Sequence, residues 1–208
     1  MPELSPSTNT ANPPPASPRY HLAVLLAIAV FAISGTFFAE ILFPDLIFKN
    51  ETLHTFLESI GAVSALTLTI MIMLSQSGQD DSSLAFVSAA GLICMSVFDA
   101  MHSIVPPGSL FVWLRSSSTF LGGFFFALSW ITPNHWLARS GKRMVWLVLL
   151  MALLLGLASM WFASSLPLMV SDGQFTFAAC AINFAGGLLF LAASARYLKL
   201  HDQSRQLQ

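Results

Sequence analysis

The chain has 208 residues, 55% of them hydrophobic and only 9% charged. Ordinary soluble domains are about a quarter charged, so nine basic and ten acidic residues cannot dress a water-facing surface of this size. A net charge of −1 gives no basic field for nucleic acid. The two cysteines, Cys94 and Cys180, sit in separate apolar blocks, which indicates neither a disulfide framework nor a thiolate metal cage.

Residues 1–20 are rich in Pro, Ser, Thr and Asn and have little to bury, so they are expected to form a disordered tail. The late, long apolar stretch that follows makes a poor secretory signal, so the tail is expected to remain attached. Six apolar segments come next: His21–Phe43, Glu51–Ser75, Leu84–Val105, Ser109–Ile131, Met144–Ser164 and Gln174–Leu198. Pro44, Pro106-Pro107-Gly108, Pro133 and Pro167 mark the breaks. A span of about twenty residues crosses a bilayer as a helix, whereas barrel strands alternate over about ten. The expected architecture is an all-α membrane bundle of six transmembrane helices: 21–199 as the membrane domain, 200–208 as a polar stub.

Positive charge sets orientation. With six spans, one side collects Arg19, Arg139, Lys142, Arg143, Arg196, Lys199 and Arg205, seven of the nine basic residues; the other holds Lys49 in a loop and Arg115 inside the fourth segment. Both termini are therefore expected in the cytoplasm.

Ionisable groups inside spans cost several kcal/mol and are functional candidates for that reason. The second segment enters from the outer face near Glu51, which places His54 about 4–5 Å deep and Glu58 about 10 Å deep at a rise of about 1.5 Å per residue. They are four apart and share a helix face. Asp99 and His102, near the end of the third segment, fall at about 9 Å and 5 Å, and Arg115 of the fourth at about 9 Å. Glu40 ends the first segment in the same outer layer. Helices joined by short loops are usually neighbours, so matched depths predict one outward-facing cluster of His54, Glu58, Asp99, His102 and Arg115. Ser116, Ser117, Ser118, Gly122 and Gly123 let neighbouring helices come close.

Two carboxylates and one guanidinium leave this cluster at −1, which a proton, a cationic ligand or a metal would neutralise. Three readings stay open: a structural polar network, a ligand or proton site with titrating histidines, and a metal site. His54, Glu58, Asp99 and His102 would suit a divalent ion such as zinc or iron better than copper(I). Asn183 could bond across helices or towards the cluster. His21, His135 and His201 lie at or beyond the inner boundary, where solvated roles are expected.

The stretches HTFLESIGAVSALTLTIMIM, GLICMSVFDAMHSI and FVWLRSSSTFLGGFFFAL resemble the bacterial membrane-associated sensor domains, most closely the third MASE class. That family carries a glutamate in one helix, Asp-x-x-His at the end of the next, and Trp-x-x-Arg in the following one. The positions here are Glu58, Asp99 with His102, and Trp113 with Arg115, the last pair one residue closer. The resemblance covers about residues 51–128. It implies a signal-input domain of a histidine kinase, a diguanylate cyclase or a related signalling protein, such as one of a two-component system, and therefore a chain that is the input half of a longer protein or a truncated piece of one. Catalysis would belong to a cytoplasmic kinase or cyclase module, in cis or in trans, and the domain itself would not be an enzyme. The expected partners are that module, the lipid bilayer and a second copy in a homodimer, with no nucleic acid.

Two rivals remain. A membrane-embedded metal hydrolase would activate water near lipid head groups, but no His-x3-His pair or Gly-x-Ser-x-Gly elbow is present. An ion-coupled transporter would need a polar path through the inner half, which carries no charge inside its spans.

Overall fold

The computed structural model describes residues 51–75, 83–131 and 135–206, together with Ala27, Val30, Phe31, Ser34 and Phe38, all five helical. The chain divides into two units, Met1–Lys49 and Asn50–Gln208. The tail expected over residues 1–20, together with His21, Glu40 and the side chains of His135 and Arg139, lies outside the described residues.

The second unit comprises α1 (Glu51–Ser75), α2 (Ser83–Ser103), α3 (Ser109–Ala127, continued by a 3₁₀ turn at Leu128–Trp130), α4 (His135–Trp161) and α5 (Phe177–Gln206). Two short strands, β1 (Val170–Ser171) and β2 (Gln174–Phe175), form an antiparallel hairpin before α5. All five helices contain an apolar stretch long enough to cross a membrane: Thr52–Ser75, Ser83–Ser103, Ser109–Trp130, Ser140–Trp161 and Phe177–Gln203. The described residues thus form an almost wholly helical fold with five helices long and apolar enough to cross a membrane, which suggests a membrane protein.

Of the boundaries that differ from those read in the sequence, three have a local cause. Helix α4 starts at His135 rather than Met144, because hydropathy marks where a span begins while the polar turns ahead of it still form helix. Its Gly141 seats the Phe86 ring of α2, which an added methyl group would strike. Helix α5 runs on to Gln206, since Arg, Lys, Leu and Gln all favour helix. Its start moves from Gln174 to Phe177 because the segment before it turns back as a hairpin. Asp172 and Gly173 both take left-handed backbone (φ 52° and 74°), the geometry that two-residue hairpin turns need and that Asp-Gly supplies.

Helix α2 lies at the centre. Fourteen of its 21 residues are buried, and it packs against α1, α3 and α4, while α5 packs on α3. Cys94, Val97 and Phe98 of α2, Leu114 of α3 and Ala152 of α4 form one core cluster; Phe86, Ala89 and Ile93 of α2 with Val145 of α4 form another. Large apolar residues such as Leu57, Met71, Leu147, Leu154, Phe184 and Leu191 point outwards. Apolar groups outside and serines inside is the arrangement expected of helices packed in lipid, where small and polar residues hold the interfaces.

Hydrogen bonds set the register of α1 against α2. Thr55 Oγ1 donates to the Ser103 carbonyl (3.1 Å) and Ser96 Oγ to the Ala62 carbonyl (2.8 Å). Two such contacts on antiparallel helices bring Glu58 level with the turn that carries Asp99. Helix α3 meets α5 with almost no gap, since a methyl group on Gly123 would come within 2.8 Å of the Gly186 carbonyl oxygen.

Candidate functional site

Arg115 is the junction. Its Nη1 donates to Asp99 Oδ1 of α2 at 3.0 Å and to Glu58 Oε2 of α1 at 3.2 Å. The carboxylates are largely covered, 12% and 19% exposed as side chains, whereas the Arg115 side chain is 49% exposed. One cation thus bridges two acceptors from two other helices and keeps an open side. Charge-assisted bonds of this kind are the strong ones, and removing the cation would leave two largely covered anions facing each other.

The histidines adjoin this junction, one turn nearer the helix ends. His102 is 1% exposed, and its Nδ1 lies 2.8 Å from the Phe111 carbonyl oxygen. A carbonyl oxygen only accepts, so Nδ1 carries the hydrogen and the Nε2 lone pair of the neutral ring is left over. The His102 ring also packs on the Phe111 ring (centroids 3.8 Å apart). His54 is exposed and meets His102 edge-on with centroids 5.6 Å apart.

Donor atoms of His54, Glu58 and His102, one from each, all lie within 4.8 Å of one another. Asp99 stands outside that set, with its carboxylate turned to Arg115. The four-residue metal set expected from the sequence therefore narrows to three. Trp113, the partner of Arg115 in the family motif, lies apart from the cluster: its indole N–H donates to Ser159 Oγ of α4 at 3.1 Å. Residues two apart on a helix point about 200° away from each other, so Trp113 and Arg115 face different neighbours.

Asn183 of α5 does not reach the carboxylates. Its Nδ2 donates to Ser116 Oγ at 2.7 Å and to its own helix at Ala179 (2.9 Å). It does share with Arg115 a cavity of about 400 Å³, lined also by Phe111, Ser116, Phe175 and Cys180. Three participants are not legible in the motif spacing. Phe111 contributes a backbone carbonyl, which no residue type signals. Ser116, expected only as a small residue, is a bonding partner. Ser109, at the start of α3, accepts from the backbone N–H groups of Met169 and Val170 (3.2 Å each) and so holds the hairpin near this end of the bundle. The hairpin itself had a signal in Ser171-Asp172-Gly173-Gln174.

Set against protein-family models, curated proteins and solved structures, the chain matches none of them.

Proposed function

We propose that the chain is an integral-membrane sensory domain. In this reading it crosses a bacterial inner membrane six times with both termini in the cytoplasm. A small ligand, a proton or a metal binds at the outward-facing cluster of Glu58, Asp99, Arg115, His54 and His102, and the change passes to a cytoplasmic kinase or cyclase module.

The observation that carries the reading is the double attachment of α3. Arg115 ties it to α1 and α2, and the next residue, Ser116, ties it to Asn183 of α5. An input that changes how Arg115 divides itself between Glu58 and Asp99 would reseat α3, and α5 packs on α3. A ligand shifts such an equilibrium only through a difference in affinity for the two arrangements. A half-exposed arginine with two carboxylates provides two arrangements of similar kind. At the far end, Tyr197 of α5 shares a 2.6 Å hydrogen bond with Ser88 of α2, so movement of α5 would be felt there as well.

Spin labels at Ser75 and Lys199, both exposed, test this in the full chain with Cys94 and Cys180 replaced by Ala. Arg115→Ala is expected to shift or broaden the label separation by about 1–2 Å, the scale of signalling helix shifts. An unchanged distribution would contradict the reading.

A membrane-embedded metal hydrolase is the second reading, favoured by the convergence of His54, Glu58 and His102. It requires that the purified chain cleave a lipid amide or ester and that Asp99→Ala abolish the cleavage.

A further inference from the structure

We infer that His54, Glu58 and His102 form a three-ligand site for a divalent transition-metal ion, zinc by donor type, with Arg115 and Asp99 as its outer partners. Ion binding as the sensory input rests on the reading above; the site itself rests on donor geometry.

Two imidazole nitrogens and one carboxylate oxygen are a recurrent zinc donor set, and three protein ligands leave a fourth position open. The donor atoms already lie within 4.8 Å of one another. Around zinc at about 2.0–2.2 Å the ligand atoms stand roughly 3.4 Å apart, a closure that would fall to rotation of the His54 and Glu58 side chains. His54 and Glu58 are four apart on α1 and share a face, and His102 comes from the antiparallel α2. The bond from Thr55 to Ser103, between these residues, sets that register.

His102 is arranged as a ligand. Its Nδ1–H is spent on the Phe111 carbonyl at 2.8 Å, which turns the Nε2 lone pair to the other side of the ring. Metal-bound histidines are usually oriented by such a bond. Burial and the Phe111 ring hold the imidazole still, and exposed His54 leaves a way in.

The charges agree. Empty, the cluster carries −1 from Glu58, Asp99 and Arg115. A dication brings it to +1, and a hydroxide or other anion in the fourth position brings it to zero. Arg115 keeps Asp99, at 3.0 Å the closer of its two carboxylates, when the ion draws Glu58 away. Binding would thus move the guanidinium from a shared to a single partner, which is the reseating of α3 invoked above.

The test is titration of the full chain, purified in detergent and stripped by chelator, with zinc and separately with cobalt(II). One zinc per chain and a cobalt spectrum of four-coordinate type are expected. His54→Ala alters an exposed position and spares the fold; it should weaken binding beyond the roughly 10–100-fold typical of outer-shell losses, as should Glu58→Gln and His102→Ala. Asp99→Asn should stay within that range, and His201→Ala should leave affinity unchanged. No stoichiometric binding, or binding indifferent to His54→Ala and Glu58→Gln, would overturn the site. The two proposals fail separately: an Arg115→Ala shift in the Ser75–Lys199 separation without zinc binding would sink the metal site alone, and zinc binding with no such shift would sink the sensor reading alone.

Discussion

Arg115 and Ser116 are consecutive residues that hold different helices: the first bonds Glu58 of α1 and Asp99 of α2, the second accepts from Asn183 of α5 at 2.7 Å. Neighbouring helical residues point about 100° apart, so a single turn of α3 faces both sides of the bundle. Four helices meet at this turn. A rotation of α3 that relaxed one contact would strain the other, so under the proposed sensory role a local change in charge would displace α5.

The Asn183 link is testable on its own. Asn183→Leu keeps the size of the side chain and loses the bond to Ser116. It should lower unfolding stability in detergent or bicelles by about 0.6–1.7 kcal/mol, the range for hydrogen bonds between membrane helices. Ser116→Ala should cost about the same, and the double variant little more than either alone.

Contact between α3 and α5 depends on Gly123. Gly123→Ala places a methyl group 2.8 Å from the Gly186 carbonyl oxygen and 3.0 Å from Leu189 Cβ, and overpacking of this kind costs about 1–3 kcal/mol. Gly187, one residue along α5 from Gly186, has nothing within 4 Å of an added Cβ. Gly187→Ala should leave stability unchanged or raise it by up to about 1 kcal/mol through helix propensity. Thermal melts of the two variants side by side separate a packing effect from a general intolerance of glycine replacement.

Ser109 holds the hairpin through Met169 and Val170. Ser109→Ala removes the acceptor, so hydrogen exchange at residues 168–176 should accelerate several-fold while α2 exchange stays slow. Gly173→Val should have a similar local effect, because a β-branched residue is strained at the left-handed backbone of Gly173 (φ 74°).

The helical class and most of the boundaries were legible because lipid imposes them: long apolar runs can satisfy their backbone only as helices, and Pro106-Pro107-Gly108 ends one as expected. The convergence of Glu58, Asp99 and Arg115 was legible for a related reason. Charges are confined to a few depths, and the rise per residue converts sequence number into depth. Direction around the helix was less legible. Trp113, two residues from Arg115, points away from it and bonds Ser159. Asp99 has the depth of a metal ligand but is held by Arg115. The Phe111 carbonyl could not be read at all, since every residue has one. Backbone acceptors emerge only when the chain ends of α2 and α3 are brought together.

The most direct test of the ionic junction is a double-mutant cycle. Stability of the full chain is measured for Arg115→Ala, for Asp99→Asn with Glu58→Gln, and for all three changes together. Arg115→Ala alone should cost roughly 1–3 kcal/mol, less than a fully buried pair because the Arg115 side chain is half exposed. In the chain already lacking both carboxylate charges it should cost little, giving a coupling of about 1 kcal/mol or more. Additive effects, within the roughly 0.3–0.5 kcal/mol of independent sites, would mean that Arg115 does not hold Glu58 and Asp99 together, and would contradict the account at its centre.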